Sequence, residues 1–238
     1  MKLKSRLRDG ARLRGGVVRA PAEVLVELSG ISGLDYLLID CEHGPADLVA
    51  LQQHIALAQA HDLPVLVRVG RGDPNMVLRV LDLGAEGIIA PHVDSAQEAA
   101  EVVRSAHYPP LGERGFATYS RAGRYGAVSA AEHLRAAQDV LVVVMVETAT
   151  GVENTDEILA VDGIDAVWVG PADLAVSLGV PSGDPAVGKT MDEVHGAARA
   201  AGVSVMSIVS SAEQGTATDA DLVVYNLAHI LLETFRTL

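Results

Sequence analysis

Two carboxylates stand at the ends of successive apolar segments in the second half of the chain. Glu147 closes the segment 140–147, and Asp173 follows the segment 166–170. If these segments are neighbouring parallel strands, both carboxylates face one point at the same end of the sheet. Two hard oxygen ligands with room for water and substrate suit Mg²⁺ or Mn²⁺. The alternative is a structural role, in which Asp173 caps a helix that begins at Leu174.

Two acids and a histidine end an earlier apolar segment. Asp40 and Glu42 lie on one face of the predicted strand because side chains alternate, and His43 follows directly. A carboxylate that orients an imidazole produces a general base that works near neutral pH. His43 is therefore either such a base, oriented by Asp40, or a histidine with no part in chemistry. His92 also stands at a strand end, but it lacks acidic neighbours in sequence and is predicted to be structural.

Arg68 lies inside a third apolar segment, Val-Leu-Val-Arg-Val. A guanidinium in a buried strand needs an anionic partner, which is either a nearby carboxylate or the carboxylate of a substrate. Arg114, Arg121 and Arg124 follow later in the chain. They either add positive charge to the same site or are solvated.

Short apolar segments alternate with stretches of helical periodicity, and continuous apolar segments are typical of parallel strands covered on both faces. Strands are predicted at 13–19, 36–42, 64–70, 87–93, 140–147, 166–170, 203–209 and 222–228. Helices are predicted at 22–28, 46–60, 75–83, 96–106, 154–160, 186–201, 212–218 and 230–236.

These elements predict the α/β class and a single (β/α)₈ TIM barrel domain over residues 1–238. The alternative, an open doubly wound sheet, lacks a G-x-G-x-x-G sequence after its first strand. The segment 108–139 is an insertion before the fifth strand, and insertions of this length in barrels are more often functional than idle.

The composition argues against several functional classes. The chain has 238 residues, a formal net charge of −13 and eight aromatic residues (two Phe, one Trp, five Tyr), so no nucleic-acid partner is expected. Its longest apolar run, 140–146, is far shorter than the roughly 20 residues of a membrane helix, so no membrane partner is expected. The single Cys41 cannot form an internal disulfide, which favours the cytoplasm. Seven basic residues among the first 19 positions predict a solvated arm.

Lysine positions narrow the chemistry further. The chain has only Lys2, Lys4 and Lys189, none of them in a predicted strand, which argues against a Schiff-base aldolase. The segment 183–190 fits the phosphate-binding pattern G-x-x-x-x-G-K-[ST]. That loop must leave a buried strand, whereas the residues before it have helical periodicity, so nucleotide binding is not expected.

Six stretches together resemble the HpcH/HpaI family of metal-dependent aldolases that act on 2-oxo acids. They occur in order, at the spacing usual for the family, over roughly residues 34–180. The stretches are DYLLIDCEHG (35–44), VLVRV (65–69), VLDLGAEG (80–87), YPPLGERG (108–115), VMVET (144–148) and GIDAVWVGPADL (163–174).

The resemblance implies reversible cleavage of a 4-hydroxy-2-oxo acid to pyruvate and an aldehyde. It implies that a divalent metal, Mg²⁺ or Mn²⁺ with Co²⁺ as a further candidate, binds the pyruvyl unit as a Lewis acid for its enolate. The implied roles are metal ligation by Glu147 and Asp173, oxyanion stabilisation by Arg68, and base catalysis by His43, oriented by Asp40 and made more basic by Asp82. Substrate binding is implied for Arg68, Gly170, Pro171, Ala172 and Asp173.

The chain also departs from the family pattern. Met145 stands where a Gln is usual, and Asn226-Leu227-Ala228 replaces a Gly-x-Asp segment. The resemblance implies a homo-oligomer, a trimer or hexamer, with the C-terminal helix exchanged between subunits. Two alternatives stay open. One is an enzyme of the same scaffold that uses the enolate for another lyase, decarboxylase or bond-forming step. The other is a non-catalytic 2-oxo-acid-binding protein.

Overall fold

The computed structural model describes residues 1–45 and 47–238. Eight parallel strands, β1 to β8, form a closed barrel in chain order, with β8 pairing back to β1. The strands are β1 Leu13–Val18, β2 Tyr36–Asp40, β3 Val65–Arg68, β4 Gly87–Ala90, β5 Leu141–Val146, β6 Ala166–Val169, β7 Ser204–Val209 and β8 Leu222–Asn226. The predicted closed parallel barrel is confirmed, with every strand one to three residues shorter than predicted.

Each strand is followed by at least one helix, as the alternating pattern predicts. The helices are α1 Leu3–Arg8, α2 Glu23–Ile31, α3 Leu48–Ala60, α4 Pro74–Asp82, α5 Ala96–Ala106, α6 Ala130–Ala137, α7 Ala149–Glu153, α8 Thr155–Leu159, α9 Pro171–Leu178, α10 Pro185–Ala201, α11 Ala212–Ala217 and α12 Leu227–Arg236. Side-chain caps such as Asp73, whose carboxylate accepts a hydrogen bond from the Met76 amide at 2.9 Å, define several of the starts. The predicted first residue of α3, Ala46, lies outside the described residues.

The strands are apolar on both faces because each face packs against a different layer. Leu38, Leu66 and Ile89 point into the barrel lumen and form one buried cluster. Leu37 and Val67, one residue away in each strand, pack outward against the helices. This alternation also decides which side chains at the strand ends point into the open end of the barrel.

The N-terminal segment is not the solvated basic arm that its composition predicts. It forms α1, whose Leu3 and Leu7 are buried in the lumen cluster and close the amino-terminal end of the barrel. Lys4 is buried with them, and its ammonium donates to the Val140 carbonyl at 3.0 Å and lies 2.9 Å from an oxygen of Asp165. A buried lysine is tolerated here because it is paired with a carboxylate.

The insertion 108–139 connects α5 to β5, so it lies at the amino-terminal end of the barrel, opposite the strand ends. There Arg114 pairs with Asp82 at 2.6 Å, and Arg121 donates to the Leu83 carbonyl at 3.0 Å. These two arginines are therefore not simply solvated. Within their own chain they also do not reach the site at the carboxyl ends of the strands.

The phosphate-loop pattern at 183–190 also takes a different structure. Its residues follow α9 and a turn, and Asp184 caps α10 through the Ala186 amide at 2.9 Å. The Lys189 side chain is exposed on α10 and pairs with Glu193. The segment therefore does not leave a buried strand, which the phosphate-binding pattern requires. Among the described residues, no helix combines the length and the apolar character needed to cross a membrane.

Candidate active site

The site lies in the barrel mouth, which we define as the carboxyl ends of the strands together with the residues that follow them. Strand alternation directs a ring of polar side chains and one glycine into it. The ring consists of Arg19, Asp40, Arg68, Glu147, Gly170 and Asn226. Five of these six positions carry polar or charged side chains, in contrast to the apolar lumen layers beneath them.

Arg68 and Asp40 form the most buried ion pair of the mouth. The Arg68 Nε donates to Asp40 Oδ1 at 2.9 Å, and its Nη2 donates to the other carboxylate oxygen. The Arg68 Nη1 lies 3.1 Å from an oxygen of Glu42. Burial alone would raise the pKa of Asp40, but the hydrogen bonds and charge of Arg68 outweigh this effect and lower it. Asp40 therefore stays ionised and fixes the guanidinium plane of Arg68.

Glu147 is almost fully buried at the end of β5, and only one of its two carboxylate oxygens has a hydrogen-bond partner among the described residues. Its Oε1 accepts a hydrogen bond from the backbone amide of His92 at 2.9 Å. Its Oε2 is buried without a hydrogen-bond partner among the described residues. Burial raises the pKa of Glu147, and the negative charges of Asp173 and Glu42 raise it further. The Oε2 side of this carboxylate therefore lacks a hydrogen-bond donor among the described residues.

Gly170 lies directly against that unpaired oxygen. A Cβ at this position would lie only 2.2 Å from Glu147 Oε2, so no larger residue fits without a shift. Gly170 is also the N-cap of α9, and it provides no side-chain cap. The amides of Ala172 and Asp173 in the first turn of α9 have no intrahelical partners, as at any helix start, and they are suited to bind an anion.

Asp173 lies in the first turn of α9, which begins at Pro171 rather than at Leu174. Helix capping by Asp173, the structural alternative, is not observed, because the N-cap position belongs to Gly170. The carboxylate is partly exposed in the mouth and close enough to Glu147 to raise its pKa. The two acids therefore lie at the same end of the barrel, and their role as metal ligands stays a prediction.

His43 sits at the rim of the mouth with its side chain more than half exposed. Its backbone amide, rather than its imidazole, donates to Asp40 Oδ1 at 3.2 Å. The carboxylate next to the ring is Glu42, with 3.7 Å between Nε2 and Oε2. The structure thus differs from the prediction that Asp40 orients His43, because both Asp40 oxygens already bind guanidinium groups.

Asp82 is also placed differently from its predicted role beside His43. It ends α4, which runs from the mouth to the amino-terminal end of the barrel, and there it pairs with Arg114. Within one chain it cannot contact His43 across the barrel. Only a second copy of the chain could bring an Asp82 to this imidazole.

The structure adds three mouth residues that the sequence analysis did not select. Arg19 lies between β1 and β2, and its Nε donates to Asp40 Oδ2 at 3.0 Å. Asn226 ends β8 and accepts from Arg19 Nη1 at 3.1 Å. His92 has a left-handed φ of 50° and places its Nδ1 3.6 Å from Glu147 Oε1. Non-glycine residues with positive φ are uncommon and often lie at functional sites, which is a signal seen only in the structure.

Comparison with known proteins agrees with this geometry. The family model for HpcH/HpaI aldolase/citrate lyase matches residues 18–223, from the end of β1 into β8. The chain belongs to this family. It is therefore a lyase of the aldolase type, and the resemblance seen in the sequence is confirmed over a longer span than the six stretches cover.

Individual relatives agree with the family assignment. A 2-keto-3-deoxy-L-rhamnonate aldolase from Escherichia coli is 37% identical over 203 residues, which are 84% of this chain and 75% of the relative. A solved HpcH/HpaI aldolase/citrate lyase family protein from Burkholderia cenocepacia J2315 has a TM-score of 0.91 at 34% identity, covering 99% and 96% of the two chains.

A more distant solved structure shares the fold. It is the citrate lyase beta subunit from M. tuberculosis complexed with oxaloacetate and magnesium, with a TM-score of 0.59 and 19% identity over 93% of each chain. At this level of identity the likeness concerns the fold alone.

Proposed function

We propose that this protein is a (β/α)₈-barrel aldolase that reversibly cleaves a 4-hydroxy-2-oxo acid to pyruvate and an aldehyde, with Mg²⁺ or Mn²⁺ at Glu147 and Asp173. Co²⁺ is a further candidate metal. The observation that carries the proposal is the buried Oε2 of Glu147, which has no hydrogen-bond partner among the described residues and lies directly against Gly170. We expect the whole chain to act as one domain in the cytoplasm.

The residues present fit a divalent cation. Two carboxylates lie near each other, and one of them is buried with a raised pKa, so a cation would remove both their mutual repulsion and the cost of burial. Among the described residues, no group of three or more His, Cys, Asp or Glu side chains is arranged to hold a metal. Two protein ligands suit a hard metal that keeps waters and takes further oxygens from a substrate.

When bound, the metal would act as a Lewis acid toward the 2-oxo group of the substrate. The amides of Ala172 and Asp173 at the start of α9 would hold the substrate carboxylate, next to Gly170 and Pro171. Arg68 would donate to the 2-oxo oxygen as negative charge develops there. Its pair with Asp40 keeps the guanidinium in place before the reaction begins.

His43 would move the proton. In the cleavage direction it would take the proton of the C4 hydroxyl, and the new C=O bond forms as the C3–C4 bond breaks. The electron pair of that bond passes to C3 and is delocalised onto the C2 oxygen near Arg68. The aldehyde leaves, and a proton returned to C3 completes pyruvate. The imidazole is exposed at the rim, where it can exchange its proton with water.

We also propose that the chain works as a homo-oligomer, a trimer or hexamer, in which α12 packs against or exchanges with another subunit. The outer side of α12 supports this, because Leu232 and Phe235 are 47% and 66% exposed and the helix has no buried residue. Exposed apolar side chains that cluster on one helix are typical of an interface. Sedimentation of the Phe235→Asp variant should show smaller assemblies than the wild type.

Exchange of the pyruvate C3 protons in D₂O, followed by NMR, tests the proposed chemistry. We expect exchange with Mg²⁺ or Mn²⁺, its loss in EDTA, and its loss in the His43→Ala and Glu147→Gln variants. The Lys189→Ala variant is the matched control, because that side chain is exposed on α10. Absence of exchange in the metal-loaded wild type would refute the pyruvate assignment. Binding of metal and 2-oxo acid without exchange would favour the non-catalytic alternative.

Pyruvate release from a panel of 4-hydroxy-2-oxo acids distinguishes the proposed aldolase from the remaining alternative. An enzyme that uses the enolate for another lyase, decarboxylase or bond-forming step would exchange the C3 protons and release no pyruvate from any of them. Met145 is the residue to vary in this comparison. Its sulfur lies 3.9 Å from Arg68 Nη1. It stands where the family that the chain resembles usually has a Gln.

A further inference from the structure

His92 is a mouth residue that the proposed mechanism does not use, and its sequence context predicts a structural role. It follows β4, after Ala90 and Pro91. Strand alternation places Ile89 in the lumen cluster and Ala90 against the outer helices, so a continued strand would also direct residue 92 outward. The left-handed φ of 50° ends this alternation, and the ring lies beside the carboxylates of the mouth instead. A residue other than glycine keeps such a backbone only where the surrounding structure holds it.

The His92 ring lies between two carboxylates and is hydrogen-bonded to neither. Its Nδ1 is 3.6 Å from Glu147 Oε1, an oxygen that already accepts from the His92 amide, and its Nε2 is 4.0 Å from Glu42 Oε1. Both distances are longer than a hydrogen bond, so neither ring nitrogen has a hydrogen-bond partner in the described part of the chain. The side chain is 29% exposed. Because an imidazole always carries at least one N–H, this ring has a donor available to a molecule in the mouth.

Strand order places His92 between the two groups that the proposed function assigns to the 2-oxo oxygen. Arg68 ends β3, Glu147 follows β5, and β4 pairs with both of these strands. An oxygen shared by the metal site at Glu147 and the Arg68 guanidinium therefore lies over the end of β4, where His92 stands. Glu42 links the two donors, because its Oε2 is 3.1 Å from Arg68 Nη1 and its Oε1 faces the His92 ring.

Direct ligation of the metal is the other role that an imidazole at this position could have. Within the described residues, however, His92 does not form a group of three metal-ligating side chains with its acidic neighbours. Its Nδ1 also faces Oε1 of Glu147, whereas the oxygen of that carboxylate without a partner is Oε2. The observations therefore favour a contact with the substrate over a contact with the metal.

We infer that His92 is a further catalytic residue, whose imidazole donates a hydrogen bond to the 2-oxo oxygen of the substrate beside Arg68. This oxygen gains negative charge as the C3–C4 bond breaks, so the added donor stabilises the enolate more than it stabilises the substrate. The hydrogen bond needs one N–H and no proton transfer, and His43 keeps the transfer of the proton. The inference rests on the proposed function, from which it takes the position of the 2-oxo group.

The test compares the binding of oxalate with that of pyruvate, because oxalate has the planar shape and the negatively charged oxygen of the enolate. Both affinities are measured by calorimetry with the Mn²⁺-loaded protein. His92→Met removes the donor and should weaken oxalate binding by about 10- to 100-fold, and pyruvate binding by less. The kcat of pyruvate proton exchange should fall by about 100-fold with little change in KM. His92→Asn should recover part of the oxalate affinity, because asparagine donates and tolerates the left-handed backbone.

Two further variants serve as controls. His61→Met makes the same substitution at the end of α3, at the amino-terminal end of the barrel, and should keep both affinities. His92→Gly adopts the left-handed backbone without strain, so it should show the same loss of oxalate affinity even where His92→Met does not fold.

The outcomes separate failure of the inference from failure of the proposed function. An unchanged ratio of oxalate to pyruvate affinity in a folded His92→Met or His92→Gly variant would overturn the inference, while proton exchange in the wild type still supports the proposed function. Loss of Mn²⁺ binding in these variants would overturn it in favour of metal ligation. If the wild type exchanges no protons, the proposed function fails by itself, and the affinity ratio still decides whether His92 binds this oxygen.

Discussion

Replacing Gly170 with alanine tests whether the position of the Glu147 carboxylate is needed to bind a cation. The added Cβ would lie 2.2 Å from Glu147 Oε2 and 3.2 Å from the Glu147 Cβ. Non-bonded heavy atoms attract each other only near about 3.5 Å, so the carboxylate must move. The φ of Gly170 is −79°, a value that alanine adopts without strain. The substitution therefore acts on Glu147 and not on the backbone.

The size of the effect follows from how Glu147 is held. The His92 amide anchors Oε1, so the carboxylate can escape only by turning Oε2 away from the Gly170 side. Changes that reorient a metal ligand typically weaken metal binding by about 10- to 100-fold, and we expect a loss of this size. Overpacking should also lower the free energy of unfolding by about 1–3 kcal/mol.

Trp168 provides the assay, because it is the only tryptophan of the chain and lies in the lumen beneath the mouth. Its ring centre is 5.6 Å from the guanidinium carbon of Arg68, so bound Mn²⁺ should quench its fluorescence. Gly196→Ala is the matched control, since a Cβ there meets open space on α10. That variant should bind Mn²⁺ normally and gain up to about 1 kcal/mol of stability. A folded Gly170→Ala variant with wild-type Mn²⁺ affinity would show that the metal site is elsewhere.

Two further substitutions probe buried charge at the other end of the barrel. Lys4→Met leaves Asp165 without its cation and should lower the free energy of unfolding in urea by about 3 kcal/mol, with part of the loss recovered in the double variant with Asp165→Asn. Burial, with the charges of Lys4 and Arg114, lowers the pKa of His107 to about 4. Because the unfolded histidine titrates near 6.5, the unfolded chain binds more protons below that pH. His107 should therefore cost about 2 kcal/mol of stability at pH 5 relative to neutral pH. His107→Leu should remove that part of the pH dependence, and an unchanged slope would contradict the assignment.

The barrel could be predicted from sequence because its strands are continuous apolar segments, a pattern that surface strands do not share. The same reasoning placed Arg68 and the two carboxylates Glu147 and Asp173 at one end, since strand ends and strand order follow from the chain alone. The ends of the strands were predicted less well, because the sequence pattern does not show where the ladder bonds stop. Glu42 already lies in a bend after β2, and Glu147 follows the last residue of β5.

Helix direction explains the residues that were placed at the wrong end. A segment between a helix and the next strand lies at the amino-terminal end of a barrel, which applies to Asp82 and to the whole insertion 108–139. This argument was available from the predicted elements, but the family pattern suggested a role for Asp82 beside His43. The buried position of Lys4 was also foreseeable, since Leu3 and Leu7 have the spacing of one helix face.

Arg19 could not be assigned from sequence for a different physical reason. Its partner Asn226 is 207 residues away, and the two meet only because β8 pairs with β1 when the barrel closes. Composition alone grouped Arg19 with the basic residues of the first segment, whereas the closed barrel makes it part of the mouth. A contact between the first and last strands of a barrel has no local sequence signal. The contacts of Arg19 therefore depend on the closure of the barrel between β8 and β1.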